Sequence, residues 1–257
     1  MRNRNSWKPI RSVFGIIGIS AILFTASPRL ANSIETPLSD VVRSIGQLKA
    51  LDAQLTKEIL LLKHGIVRDY DSLQSITEAT DFTIATLKLP KPTGAQADDE
   101  DLPSLLETLK NSLVQRLVQV ERFKSKNAIA RNSSTYFTYL LIKTAKNNNA
   151  FNLLERDVKR LSDLRTLMLA YSLNHGPAVE NAFIKALGDI RDSAALLDQR
   201  RANATTLLTQ IANHGEVMIK ANHEVNKLVA QIISQDRAQL LEMIDYRISE
   251  FLESERG

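Results

Sequence analysis

The sequence predicts an all-α protein, an elongated bundle of long antiparallel helices arranged as two tandem helical units. Three observations carry that prediction. Between Thr36 and the C-terminus the prolines are Pro37, Pro90, Pro92, Pro103 and Pro177, and the stretches between them are rich in Leu, Ala, Ile, Glu, Lys and Gln, all good helix formers. A seam with a period near 3.5 runs through Leu109, Leu113, Arg116, Val120, Phe123, Asn127, Ala130, Ser134, Phe137 and Leu141. The seam then recurs at an offset of 95: Leu113, Val120, Phe123, Asn127, Ala130 and Phe137 correspond to Leu208, Gly215, Met218, Asn222, Val225 and Ile232. Strand-like alternation is not found.

The expected helices cover residues 37–64, 70–88, 103–146 and 150–174, followed by two more between 177 and 254 that meet somewhere in 188–201. His64-Gly65 and His175-Gly176 each place a glycine behind an imidazole, a pattern for a helix C-terminus, and Pro177 suits the first turn of the next helix. Asn147-Asn148-Asn149 reads as a break. Segment 89–103, with Pro90, Pro92, Gly94 and the acidic run Asp98-Asp99-Glu100-Asp101, cannot extend a helix and is expected to be a mobile, dispensable loop. The two His-Gly pairs are 111 apart and the two seam asparagines 95 apart, so the first unit reads as the second plus an insertion about the size of that loop.

Residues 1–31 read as a signal peptide or an N-terminal membrane anchor ahead of a sensory body spanning 32–257. A basic start (Arg2, Arg4, Lys8, Arg11) precedes an apolar run from Val13 to Phe24 and then Thr25-Ala26-Ser27-Pro28. The apolar run is short for a span, which takes about 20 residues. Both alternatives place the body outside the cytoplasm, in the periplasm, either released or held at the inner membrane.

The formal charge of +4 comes from this leader; residues 28–257 carry 29 basic and 29 acidic side chains. A neutral body lacks the electrostatic footprint of a nucleic-acid binder. Absence of cysteine excludes disulfides, thiolate catalysis and Cys-ligated metals. The di-iron bundle pattern Glu-x-x-His, the His-Glu-x-x-His motif and a Gly-x-Ser-x-Gly elbow are all missing. The reading is therefore non-catalytic, with no cofactor. His64, His175, His214 and His223 are read as capping or solvated groups, although His214, Met218 and Asn222 share a face that would permit an axial haem pair.

Candidate ligand contacts come from the polar interruption of the seam. Asn127 sits among Phe123, Ala130 and Phe137, where an amide either fixes register by pairing or lines a small polar pocket between helices. Arg131, Asn132 and Tyr136, with Asn127, are the residues expected to contact a ligand. Lys124, Lys126 and Arg131 form a basic cluster able to receive an anion, set against the plainer reading of a solvated charged face.

The run Val120-Glu121-Arg122-Phe123-Lys124-Ser125-Lys126-Asn127-Ala128-Ile129-Ala130-Arg131-Asn132-Ser133-Ser134-Thr135-Tyr136-Phe137 resembles the signature of the DAHL domain, and the resemblance continues more loosely from about Leu48 to about Leu240. That family is an all-helical extracytoplasmic sensory module of bacterial sensor histidine kinases. The resemblance implies an inner-membrane kinase in which the domain lies between two spans. The sequence departs from that plan at Ser254-Glu255-Arg256-Gly257, without a second span, phosphoacceptor region or ATP-binding domain. Three expectations follow: a stand-alone sensor acting through a membrane-bound signalling partner, a remnant of a truncated kinase, or a structural, scaffolding protein of the envelope. Partners consistent with these are a small molecule, a periplasmic protein or a second copy.

Overall fold

The computed structural model describes residues 37–87, 102–147, 151, 153–173, 176–197, 201–234 and 236–254. Among them stand seven α-helices and no strand: α1 (Pro37–Lys63), α2 (Asp71–Thr86), α3 (Leu102–Lys146), α4 (Glu155–Leu173), α5 (Pro177–Ala195), α6 (Ala202–Ile232) and α7 (Asp236–Ser254). Residues 1–31, expected from sequence to be a signal peptide or anchor, and loop positions 89–101, Asn148, Asn149 and His175 lie outside the described residues. Leu102 and Pro103, read from sequence as the end of the loop, form the first turn of α3, where proline is tolerated because its missing N–H has no intrahelical acceptor.

Helix α3 has 45 residues and is therefore about 67 Å long. It forms the spine of the molecule, because its seam passes through three cores in succession. Leu105, Leu106, Leu109 and Leu113 pack with Val41, Ile45 and Leu48 of α1, Ile84 of α2 and Leu241, Ile244 and Ile248 of α7. Val120 and Phe123 pack with Leu55, Ile59 and Leu62 of α1, Leu73 and Ile76 of α2, and Val225 to Ile232 of α6. Phe137, Leu140 and Leu141 pack with α4, α5 and the first half of α6. The order of these contacts makes α1 parallel to α3, and α2, α6 and α7 antiparallel to it. Two hairpins, α1–α2 and α4–α5, thus flank an antiparallel α3–α6 pair.

Gly215 lets that pair close tightly. A Cβ at this position would collide with Leu187 of α5 and stand 3.1 Å from Cε2 of Phe137. At the α1–α2 turn Gly65 has φ +69°, and the N–H groups of Gly65 and Ile66 reach the carbonyls of Leu62 and Leu61 at 3.1 and 3.0 Å. This is the glycine-terminated helix end expected there. Gly176 differs: at φ −66° and ψ 147° it is an extended N-cap of α5, so its service is to the helix that follows.

Other boundaries differ from expectation for physical reasons. Helix α4 starts at Glu155 instead of 150, where Glu155 and Asp157 supply the negative charge that an N-terminal turn favours. On the seam, Ser133 is buried and Ser134 only half-buried. The last segment holds three helices instead of two, and α6, at 31 residues, falls short of the length expected for a second long helix. No glycine or proline marks the break between Ile232 and Asp236; the groups that satisfy this helix end belong to the site.

Candidate functional site

Polar residues interrupt the α3 seam at two levels. At the upper level Asn127 is 3% exposed, and its amide donates to the Tyr70 hydroxyl at 3.0 Å and to the Leu62 carbonyl at 3.5 Å. Tyr70 in turn donates to the Lys124 carbonyl at 3.4 Å. One turn further along α3, Arg131 Nη1 donates to the carbonyl of Arg68 at 3.0 Å. Asn127 and Arg131 therefore hold the α1–α2 turn against α3. Lys124, from the basic cluster, is engaged with Gln74 Oε1 at 2.8 Å and Glu121 Oε1 at 2.9 Å, so it serves as a fastening of α2.

The other two predicted contacts point elsewhere. Asn132 is exposed. Tyr136 is half-exposed, its ring 4.5 Å from that of His214 on α6 and 5.9 Å from that of Tyr139. Asn127 and Arg131 thus share the hairpin turn, Tyr136 lies on the α6 side, and no cavity among those described is lined by all four. A crevice of about 190 Å³ lies instead between α3 and α4, lined by Leu141, Thr144, Ala145, Val158, Leu161, Ser162 and Arg165.

The repeat of the seam asparagine carries a repeat of its partner type. Asn222 is hydrogen-bonded to Tyr171, whose hydroxyl is pushed above its ordinary range by burial, with the Asn222 bond opposing and Glu180 adding to the rise. Each seam asparagine therefore meets a tyrosine beside the turn of a flanking hairpin. The copies are not equal in depth, since Asn222 is only half-buried. Met218 is core, at 3% exposure, and His223 pairs with Glu180 at 2.8 Å. Along the His214, Met218 and Asn222 face the His214 ring thus packs beside Tyr136, Met218 lies in the core and Asn222 is bonded to Tyr171.

The lower level centres on Arg116, which seam periodicity places on the buried face without revealing its partners. Arg116 is 2% exposed, and its guanidinium reaches three groups on two helices: Nη1 to Asp52 and Nη2 to Thr56 Oγ1 at 2.9 Å on α1, and Nε to the Ile232 carbonyl of α6 at 3.0 Å. Arg237 of α7 also donates to that carbonyl, and its Nε stands 3.7 Å from Asp52. Burial pushes the Arg116 guanidinium down to about 10, opposed by the attraction of Asp52 and helped by the neighbouring Arg237. A signal existed: Arg116 is the one charged residue on the seam from Leu109 to Leu141. The network also explains the extra helix end. The Ile232 carbonyl belongs to the last turn of α6, where no intrahelical donor remains, and two arginines satisfy it.

The family model of the DAHL domain matches residues 39–252. The chain belongs to the DAHL domain family. None of the curated proteins or solved structures compared with it matches. The matched range runs from the first turns of α1 to the last turn of α7, so the DAHL domain comprises both hairpins and the whole α3–α6–α7 spine, including both polar levels. Groups of three or more metal-ligating side chains are absent among the described residues, as are helices long and apolar enough to cross a membrane.

Proposed function

We propose that this DAHL domain is a non-catalytic sensory module, exported from the cytoplasm, that binds a small ligand or a periplasmic partner and passes the event to a membrane-bound signalling protein of two-component type. The observation that carries the reading is the continuity of α3 through all three cores, with hydrogen-bonded polar levels set into it. Packed helices of this kind shift by about 1 to 2 Å between discrete arrangements, and directional bonds such as Asn127 to Tyr70 make those arrangements distinct. The first turns of α1 and the last turns of α7 share one core through Val41, Ile45, Ile244 and Ile248. A displacement carried along the spine therefore reaches both outer helices at the same end of the bundle.

For the ligand we favour the polar surface of α3 that runs from the α1–α2 turn, at Arg131, past Asn132 to Tyr136 on the α6 side, with Asn127 as the support beneath the turn. The test is thermal stabilisation of the purified domain by a metabolite library or periplasmic extract, since a ligand that binds the native state raises its melting point by mass action. Alanine at Arg131, Asn132 and Tyr136 together is expected to abolish the stabilisation, and a stabilising ligand that is indifferent to the triple variant moves the site elsewhere. Export is tested by fusing a periplasm-dependent reporter after Gly257; activity of a cytoplasm-dependent reporter at that junction refutes it. A scaffolding role gains support from Val118, Ile129 and Tyr139, exposed on α3 at 45%, 42% and 52%. Concentration-dependent self-association in sedimentation experiments, without ligand stabilisation, would favour that second reading.

A further inference from the structure

Helix α3 continues without interruption through Phe137 to Lys146, yet the corresponding position in the second seam, Ile232, is where α6 stops. The sequence around that stop, Gln231-Ile232-Ile233-Ser234-Gln235-Asp236-Arg237-Ala238, has no glycine or proline and is able to remain helical. What accompanies the break is a pair of side-chain donors, Arg237 from five positions on and Arg116 from α3, that occupy the Ile232 carbonyl, which in a continuous helix would accept from the N–H of residue 236.

The break also changes the phase of the seam. Val225, Val229 and Ile232 are buried on α6, and Arg237, Leu241, Ile244 and Ile248 on α7, so the seam advances by five residues at the junction where a helix advances by three or four. A continuous helix would turn α7 by one residue, about 100°. It would present Asp236, Leu240, Met243 and Arg247 where Arg237, Leu241, Ile244 and Ile248 now lie. This second face is partly apolar: Leu240 already packs at the edge of the core, and Met243 is 45% exposed.

We propose that the α6–α7 junction is a two-state joint. In the state described here the helix is broken and the Ile232 carbonyl is held by Arg116 and Arg237. In the other state α6 and α7 run on as one helix, as α3 does, with α7 rotated by about one residue against α1 and α3. Arg116 sets the balance, because it reaches the joint from α3 while bonded to Asp52 and Thr56 of α1. A displacement of α1 relative to α3 then pulls the guanidinium from Ile232 and releases the joint. As a signalling device this rests on the sensory reading above; the existence of two states does not.

The chain has no cysteine, so spin labels at Glu107→Cys on α3 and Glu242→Cys on α7, both exposed positions, report the distance between the two helices. In the otherwise unaltered domain without ligand the distribution is expected to be dominated by one distance. Arg116→Met is expected to add a second population displaced by several ångströms, on the order of a helix radius, with helical content maintained. Adding Asp236→Pro to Arg116→Met is expected to remove that population, since proline fits the first position of α7 but lacks the N–H that a continuous helix requires. A single unshifted distance in folded Arg116→Met, or a shifted population that survives Asp236→Pro, overturns the joint. If Arg116→Met does not fold, Ser234→Ala with Gln235→Ala, which favours helix across the junction, must raise the second population; an unchanged distribution overturns the proposal. Because no ligand is present, failure here leaves ligand sensing to be judged by the thermal-shift experiment alone.

Discussion

The hairpins α1–α2 and α4–α5 pack on the same spine and each meets a seam asparagine through a tyrosine, but they are fastened by different forces. Around α4–α5 the buried contact is aromatic: Phe183 lies edge-on to Phe137 at 5.8 Å and stacked on Tyr171 at 5.5 Å, with Leu187 pressed onto Gly215, while the charged pairs His223–Glu180 and Arg191–Glu216 lie nearer the surface. Around α1–α2 the fastening is polar and directional, from Asn127, Lys124 and Arg131 above to Arg116 with Asp52 and Thr56 below. Apolar contacts stabilise in proportion to area and weaken gradually when helices slide. Charged hydrogen bonds fail within a fraction of an ångström to an ångström or so. The first hairpin is thereby the one whose position the spine can register in discrete steps, and the second is the one that anchors it.

The sharpest way to break this comparison is to remove the anchor. Phe183 is fully buried, and Phe183→Ala is expected to cost about 3 to 5 kcal/mol. In a domain of this size that corresponds to a fall in melting temperature of roughly 10 °C or more, read by circular dichroism. A loss below about 1 kcal/mol would show that the second hairpin is not held by its aromatic core.

Next in size is the polar counterpart. Arg116→Ala removes the donor to Asp52, Thr56 and Ile232 together and is expected to cost about 2 to 3 kcal/mol, the scale for hydrogen bonds to a charged group, since Asp52 keeps access to solvent. Double-mutant cycles with Asp52→Asn should give a clear coupling energy. Additive effects would mean that the close approach of the two groups contributes nothing specific.

A smaller effect is expected at the upper level. Asn127→Leu replaces a buried amide by an apolar side chain on an apolar seam, and Tyr70 keeps the Lys124 carbonyl as an acceptor. Stability should stay within about 1 kcal/mol of the original, while hydrogen exchange in the α1–α2 turn accelerates as its register loosens. Unchanged exchange would remove the register role of Asn127.

Tyr171 gives the finest discrimination. Its folded-state pKa lies above the ordinary value of 10.0 because of burial, so the folded protein retains a proton that the unfolded chain releases. Stability linked to this group is present below pH 10.0 and is lost as pH rises above it. Alkaline unfolding should therefore be delayed in Tyr171→Phe, and the ultraviolet titration should lose one late-ionising tyrosine, leaving Tyr246, which its hydrogen bond to Glu250 also holds above the ordinary range. If the substitution leaves both curves unchanged, the phenol is not held neutral by the second hairpin.

Much of this architecture is determined by sequence alone. Proline spacing and helix-forming composition fix an all-helical chain, because propensity and punctuation are local. The 3.5-residue seam, with Phe123, Asn127 and Phe137 in phase, identifies α3 as a long, internally packed helix, because periodicity selects which face is buried. Gly65 marks its turn because a left-handed backbone there favours a residue without Cβ. The signature from Val120 to Phe137 points to the DAHL family that the match over residues 39–252 shows. Tertiary structure decided the rest. Tyr70 and Tyr171 became the partners of the two asparagines only when the hairpins folded onto the spine, a contact between residues distant in sequence. The end of α6 at Ile232 is only half written locally: its neighbours are competent to stay helical, and the carbonyl left over is satisfied by Arg237, five positions on, together with Arg116, 116 positions away, which no local pattern at Ile232 could specify.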